Sequence, residues 1–275
     1  MSNVSTTHKR TGIGLCQEIA PGVYFREVGR GINRSNVYFV RSGASWVLID
    51  AASAGCATLI QKTAESLFGP DTRPASILLT HDHPDHAGSA LELSRIWDCP
   101  VYVHPDELPL ATIGDLATVE QYANPLDRWI ILPLLRLLPR RRVESMLSKS
   151  SLKQVAQAFD PAGGIPGLPD WACIHTPGHT PGHVAFFRSR DRVLITGDAV
   201  LTVDLNSLRG LLSWVSRRSR QRISGPPWYS TWDRPGSRQY VAVLTRLEPR
   251  VLASGHGAPI RGKRITRELQ ALANH

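Results

Sequence analysis

The chain has 275 residues, 42% hydrophobic and 20% charged, with 32 Lys and Arg against 23 Asp and Glu for a formal net charge of +9. This is enough to bury a core, and it excludes a disordered, collagen-like or disulfide-scaffold protein. The positive balance admits nucleic acid, acidic lipid or an acidic substrate as partner, although many basic proteins bind none of these.

The N-terminal ten residues are polar and lack the apolar run of a secretory signal. Short β-branched or aromatic runs, separated by Gly, Ser and Asn turns, predict strands over 23–28, 36–40 and 46–49. Residues 54–68 predict a helix, with Leu59, Ile60, Ala64, Leu67 and Phe68 on one face and Gly69-Pro70 as its stop. A buried strand at 76–79 runs into a histidine-rich loop, followed by a helix at 87–97 and a strand at 101–103. Over 105–160 strand signals disappear and helical stretches with proline breaks take over. Strand patterns return at 172–174, 184–187 and 193–195. An amphipathic helical interval over about 205–222 carries Leu208, Leu211, Leu212 and Val215 at helical spacing. Residues 237–247, a short strand at 251–253 and a terminal helix from about Lys263 complete the chain. Two βαβ-like halves, each interrupted by helices, predict an α/β fold: one αββα sandwich in a single domain over 1–275, with lid insertions at about 105–160 and 204–235.

Cys16, Cys56, Cys99 and Cys173 form no CxxC pair, which fits a reducing, cytoplasmic setting. The longest apolar run, 129–138, is broken by Pro133 and Arg136 and is too short to span a bilayer.

The chemistry concentrates in Thr80-His81-Asp82-His83-Pro84-Asp85-His86, which puts three imidazoles and two carboxylates in six residues directly after an apolar strand. His and Asp are ordinary ligands of zinc and similar divalent ions. In an extended segment His81 and His83 point the same way and can converge on one ion, while Asp85 and His86 can face a second. Three later segments, each at an apolar strand end, can complete the site: Thr176-Pro177-Gly178-His179, Thr196-Gly197-Asp198 and Ser254-Gly255-His256-Gly257.

HxHxDH followed in order by TPGH, GD and GHG resembles the metallo-β-lactamase superfamily, over about residues 20–262. The resemblance implies a four-layer αββα sandwich with a binuclear site at its edge. It implies that His81, His83 and His179 hold one divalent ion, that Asp85, His86 and His256 hold a second, and that Asp198 bridges them. Zinc is the expected metal, with iron and manganese as alternatives. His83 stands where flavodiiron oxygen reductases usually carry glutamate, which argues against electron transfer. Asp198 stands where class B1 and B2 β-lactamases carry cysteine, which argues against antibiotic hydrolysis as the main role. The aspartate matches the glyoxalase II, lactonase and ribonuclease Z branches. Only 19 residues follow His256, so the C-terminal helical substrate domain of glyoxalase II is not expected.

Two ions about 3.5–4 Å apart can share a hydroxide that attacks an electrophilic carbonyl or phosphorus. Asp85 is then the candidate catalytic residue, relaying a proton to the leaving group, unless it serves as a ligand only. Asp50 and Asp82 could accept N–H bonds from ligand imidazoles, and His183, like His175, is expected to support the site rather than to ligate. Gly178, Gly182, Gly197, Gly255 and Gly257 are expected in tight turns.

Residues 128–153 and 204–238 together hold fourteen Lys and Arg against three acids, a net +11 that leaves the rest of the chain at −2. These segments read as helices packed on the sandwich with solvated arginines. They also read as a lid for an anionic, amphiphilic substrate, or as a patch for an acidic membrane. Trp228, Tyr229 and Trp232 either line the pocket or pack in the core. The expected function is hydrolysis of a small thioester, ester or lactone. A nucleic-acid phosphodiesterase is the alternative suggested by the basic insertions, but the chain shows no nucleic-acid module. A mono-iron persulfide dioxygenase is a third.

Overall fold

The computed structural model describes residues 16–274. Seven strands form one mixed sheet in chain order: β1 (Gln17–Ala20), β2 (Val23–Val28), β3 (Ser35–Ser42), β4 (Ser45–Ile49), β5 (Ser76–Leu78), β6 (Val101–Val103) and β7 (Ala156–Ala158). The hairpin-connected strands β1 to β4 are antiparallel. From β4 to β7 the pairing is parallel, so each connection must cross over through helices. These are α1 (Ala57–Phe68) after β4, α2 (Pro84–Ala87) and α3 (Ala90–Trp97) after β5, and α4 (Leu108–Ala111), α5 (Leu116–Gln121), α6 (Leu132–Arg136) and α7 (Arg140–Ser150) before β7.

A second sheet holds β8 (Trp171–His175), β9 (Val184–Arg188), β10 (Val193–Ile195), β11 (Val251–Ala253) and β12 (Ile260–Arg261), in spatial order β12-β11-β10-β9-β8. Helices α8 (Leu208–Val215) and α9 (Arg234–Arg246) lie between β10 and β11, and α10 (Arg264–Ala273) ends the chain.

Period-two alternation along the strands builds the layers. In β3 and β4, Tyr38, Val40, Val47 and Ile49 point inward and meet Val184, Phe186, Val193 and Ile195 of the second sheet. The alternate residues Val37, Phe39, Trp46 and Leu48 point outward, against α1 and α3. Leu194 and Leu252 likewise face α9 and α10. The result is the expected αββα sandwich. Among the described residues, no helix is long and apolar enough to cross a membrane.

Several local expectations need correction. The helix expected over 87–97 is two pieces, α2 and α3, separated at Gly88-Ser89, where Gly88 lies against the backbone of Ala54 and Pro84 too closely for a side chain. The segment 105–160 is not wholly helical. Its end pairs with β6 as β7, an edge strand of two alanines and a glutamine that carries little strand propensity of its own. The helix expected over about 205–222 stops at Val215, and residues 218–224 turn back so that Ser224 pairs with Leu201. Among the described residues, Cys56, Cys99 and Cys173 form no disulfide.

Candidate metal centre

The expected ligands meet at the C-terminal ends of the strands. Beyond β5 the chain stays extended through His83, so His81 and His83 project together, with ring centroids 4.8 Å apart. Pro84 opens α2 at the first helical position, where its missing N–H costs no hydrogen bond, and the short helix presents Asp85 and His86. The loop between β8 and β9 brings the His179 ring to 4.8 Å from that of His81 and 4.5 Å from that of His83. The turns after β10 and β11 supply Asp198 and His256.

The donor atoms fall into two groups around one carboxylate. His81, His83 and His179 form the first group, and Asp85, His86 and His256 the second. Asp198 lies between them: its Oδ2 is 3.6 Å from His179 Nε2 and 3.3 Å from His256 Nε2, and its Oδ1 is 3.5 Å from His86 Nε2. Asp85 Oδ2 lies 3.2 Å from His256 Nε2 and 4.0 Å from His86 Nε2. All seven residues assigned from the motifs are therefore brought together.

Four imidazoles are held so that Nε2 is free to face the centre. His86 Nδ1 donates to Asp50 Oδ2 at 2.9 Å, and His256 Nδ1 donates to the Arg34 carbonyl at 2.6 Å. The Thr231 hydroxyl donates to the Pro227 carbonyl, so it accepts from His179 Nδ1 at 3.2 Å. The Thr80 hydroxyl donates to Asp50, so it accepts from His81 Nδ1 at 3.0 Å. This fixes the tautomer that a metal ligand needs. His81 Nε2, His179 Nε2 and Asp198 Oδ1 are buried without a hydrogen-bond partner. Burial without a partner costs roughly 1–3 kcal/mol per group, so three such atoms beside one another fit an ion as their partner. The nitrogen and oxygen donor set suits zinc, iron or manganese.

The two groups differ in charge. Burial, reinforced by the neighbouring imidazoles, holds His81 and His179 well below the usual histidine range, so both are neutral. Burial also opposes charge on His86 and His256, but Asp198 and the other carboxylates outweigh it, raising His86 to about 9 and His256 well above its ordinary value. Burial likewise opposes ionisation of Asp85 and Asp198, yet His86 and His256 keep both below the usual carboxylate range.

The supporting residues are partly those expected. Asp50 sits in the left-handed region at φ 59, which aspartate tolerates better than most residues, directly after β4. There its carboxylate joins His86 to the Thr80 N–H and hydroxyl. His183 holds the central aspartate by its backbone, accepting the Asp198 N–H on Nε2 at 3.0 Å. At Asp82 the structure shows a backbone contact: Glu107 Oε1 accepts its N–H at 2.7 Å, while the Nδ1 atoms of His81, His86, His179 and His256 have the partners given above. His175 stacks on His104, at 4.0 Å between centroids, with Asp106 alongside. Its Nε2 already donates to the Pro181 carbonyl.

Sequence reasoning missed Glu107. This buried carboxylate follows β6 and also accepts from the Thr180 hydroxyl and the Gly182 N–H, tying the loop of His81 and His83 to the loop of His179. A lone glutamate at the start of an insertion gave no signal. Arg34 and Asn36 were missed for the same reason: Asn36 Nδ2 donates to the carbonyls of Ser254 and Gly257 and so shapes the turn of His256. Gly255 is required sterically, because a methyl there would overlap Asp198 Oδ1 and the His86 ring. Tyr229 is partly buried, and burial, then the charges of Asp198 and Asp85, push its phenol up to about 12. Trp228 and Trp232 are exposed and are not core residues.

The sequence profile described as Metallo-beta-lactamase superfamily matches residues 30–256. A probable metallo-hydrolase of Bacillus subtilis (strain 168), YflN, is 36% identical over 274 residues, covering 98% of this chain and 95% of the relative. The atrochrysone carboxyl ACP thioesterase nsrC of Aspergillus novofumigatus (strain IBT 16806) is 24% identical over 261 residues, covering 93% of this chain and 63% of the relative. The crystal structure of TTHA1623 in a di-iron-bound form is similar at a TM-score of 0.52 with 25% identity, covering 86% of this chain and 94% of that one.

Proposed function

Because the chain belongs to the metallo-beta-lactamase superfamily, we propose that it is a metal-dependent hydrolase of a small thioester, ester or lactone, with two divalent ions held by the seven side chains around Asp198. One observation carries this reading: Asp198 stands between two donor groups, and its Oδ1 and the Nε2 atoms of His81 and His179 are buried with no hydrogen-bond partner among the described residues. The di-iron state of one structural neighbour and the thioesterase activity of one relative support it. The thiols of Cys56, Cys99 and Cys173, which form no disulfide among the described residues, support a cytoplasmic setting, and the whole chain is read as one domain with two helical insertions.

In this reading His81, His83 and His179 would hold one ion and Asp85, His86 and His256 the other, with Asp198 available to both. Bound divalent ions would supply Lewis acidity and acidify water to a pKa of about 7. The protein's own groups do the rest. Asp198 is enclosed, its side chain 5% exposed, and positions donors. The Asp85 side chain is 27% exposed and reaches solvent, which suits it to take a proton and pass it to the leaving group. Tyr229, pushed up to about 12 by burial and the charges of Asp198 and Asp85, keeps its proton at neutral pH.

The test is a panel of thioesters, lactones, phosphodiesters and β-lactams, run with metal analysis and a chelator control. Hydrolysis of the carbonyl substrates, abolished by chelator and by His81→Ala, is expected. Less than one ion per chain after loading, or full activity in His81→Ala on every ester, would sink the proposal. Cleavage of phosphodiesters alone would favour the reading in which the exposed arginines of residues 140–142 and 217–222 engage phosphates.

A further inference from the structure

Exposed apolar side chains are not spread over this protein. Of the fifteen large hydrophobic residues exposed among the described residues, eleven fall in 105–160 and 204–235, about a third of the described chain. Trp129 and Leu137 are each 81% exposed, and Ile130 and Leu134 stand with them on the rod made by the π-helical turn Asp127–Ile131 and α6. Residues 128–153 and 204–238, which overlap these segments, carry fourteen basic side chains against three acids. Among the described residues, Arg141, Arg142 and Lys149 have no acidic partner, nor do Arg209, Arg218 and Arg220 on the other insertion.

Both insertions border the metal centre. The Trp232 N–H donates to the His179 carbonyl, and the Tyr122 ring stands 6.3 Å from that of Trp232, which joins the first insertion to the second. Trp214 of α8 packs edge-on against His256 at 6.0 Å between ring centroids.

We infer that the two insertions form a docking surface for a bilayer of anionic lipid, with the mouth of the metal centre turned toward that surface. Apolar side chains interleaved with unpaired arginines match an anionic interface, where the rings and aliphatic chains enter the acyl boundary and the guanidinium groups meet headgroup phosphates. A second copy of the chain is a poor occupant, because residues 128–153 and 204–238 would set fourteen basic side chains and three acids against the same set on the other copy. Nucleic acid would engage the arginines but leave Ile130, Leu134, Leu137, Leu208 and Leu212 in water. The association is peripheral, since no described helix can span a membrane. It goes beyond the hydrolase reading and stands or falls separately from it.

The test is vesicle flotation with the full chain, comparing phosphatidylcholine alone with an equimolar mixture of phosphatidylcholine and phosphatidylglycerol. Binding to the mixed vesicles is expected, falling roughly tenfold or more without the anionic lipid or at high salt, as screening predicts. The double variant Trp129→Ser/Leu137→Ser should lose binding while its melting temperature and hydrolysis of a soluble ester stay unchanged. Arg141→Glu/Arg142→Glu should lose the preference for anionic vesicles. Failure to float with anionic vesicles at low salt, or equal binding to neutral ones, would overturn the inference. So would a stable dimer in light scattering that Trp129→Ser/Leu137→Ser converts to monomer, or RNA binding that outcompetes the vesicles. Chelator-sensitive ester hydrolysis without vesicles checks the hydrolase reading independently.

Discussion

His86 and Asp50 form a buried pair, with Nδ1 of the imidazole 2.9 Å from Oδ2 of the carboxylate, and the same carboxylate also receives the Thr80 N–H and hydroxyl. Asp50 therefore orients two neighbours in the ligand loop at once, His86 directly and His81 through Thr80. Asp50→Asn should weaken metal binding about 10–100-fold, the usual range for loss of such an outer partner. Titration against a chromogenic chelator measures it. An unchanged affinity would show that Asp50 only supports the fold.

The metal-free protein should respond to pH through the second donor group. His86 is held at about 9 against an ordinary 6.5, so the stability it contributes without metal is fully present below about pH 6.5. That contribution is lost as pH rises through about 9. An ion entering this group at pH 7 must displace the proton, whereas His81 and His179 are already neutral. Calorimetry in buffers of different ionisation enthalpy should thus show proton release for the second ion and little for the first. Acidification should strip the second ion first. Equal proton release for both ions would contradict the assignment.

Gly255→Ala should abolish tight metal binding, because the added methyl occupies the space of Asp198 Oδ1 and the His86 ring. Gly114→Ala is the matched control, since a methyl there meets nothing within 4 Å. Metal content after loading and the circular dichroism spectrum separate loss of the site from loss of the fold. If both variants load equally, the close approach at Gly255 does not matter.

Glu107→Ala should destabilise the protein by about 2–4 kcal/mol, because three donors lose their acceptor in a buried place. The Asp82 N–H, the Thr180 hydroxyl and the Gly182 N–H would all be left unpaired. Denaturant melts with and without metal would measure this, and affinity for the first ion should fall as well, since the loops of His81 and His179 lose their tie. A change under about 0.5 kcal/mol, the scale of an ordinary surface substitution, would show that water replaces the carboxylate.

The amino-acid sequence by itself determined the sandwich and named the candidate ligand set. Alternation in 36–40 and 46–49 sends Tyr38 and Ile49 to one face and Phe39 and Leu48 to the other, because a strand turns successive side chains to opposite sides. The histidines at 81, 83 and 86 are close in the chain, so their spacing already carried their geometry. Only the tertiary structure decided what lies behind them. Glu107 reaches Thr180 across 73 residues, and the Arg34 carbonyl reaches His256 across 222. Such partners are selected by where two loops meet, and a solitary glutamate or a backbone carbonyl carries no local pattern. The same holds for the basic charge. Composition located it in two insertions, but only folding brought Tyr122 beside Trp232 and set both insertions at the border of one candidate metal centre.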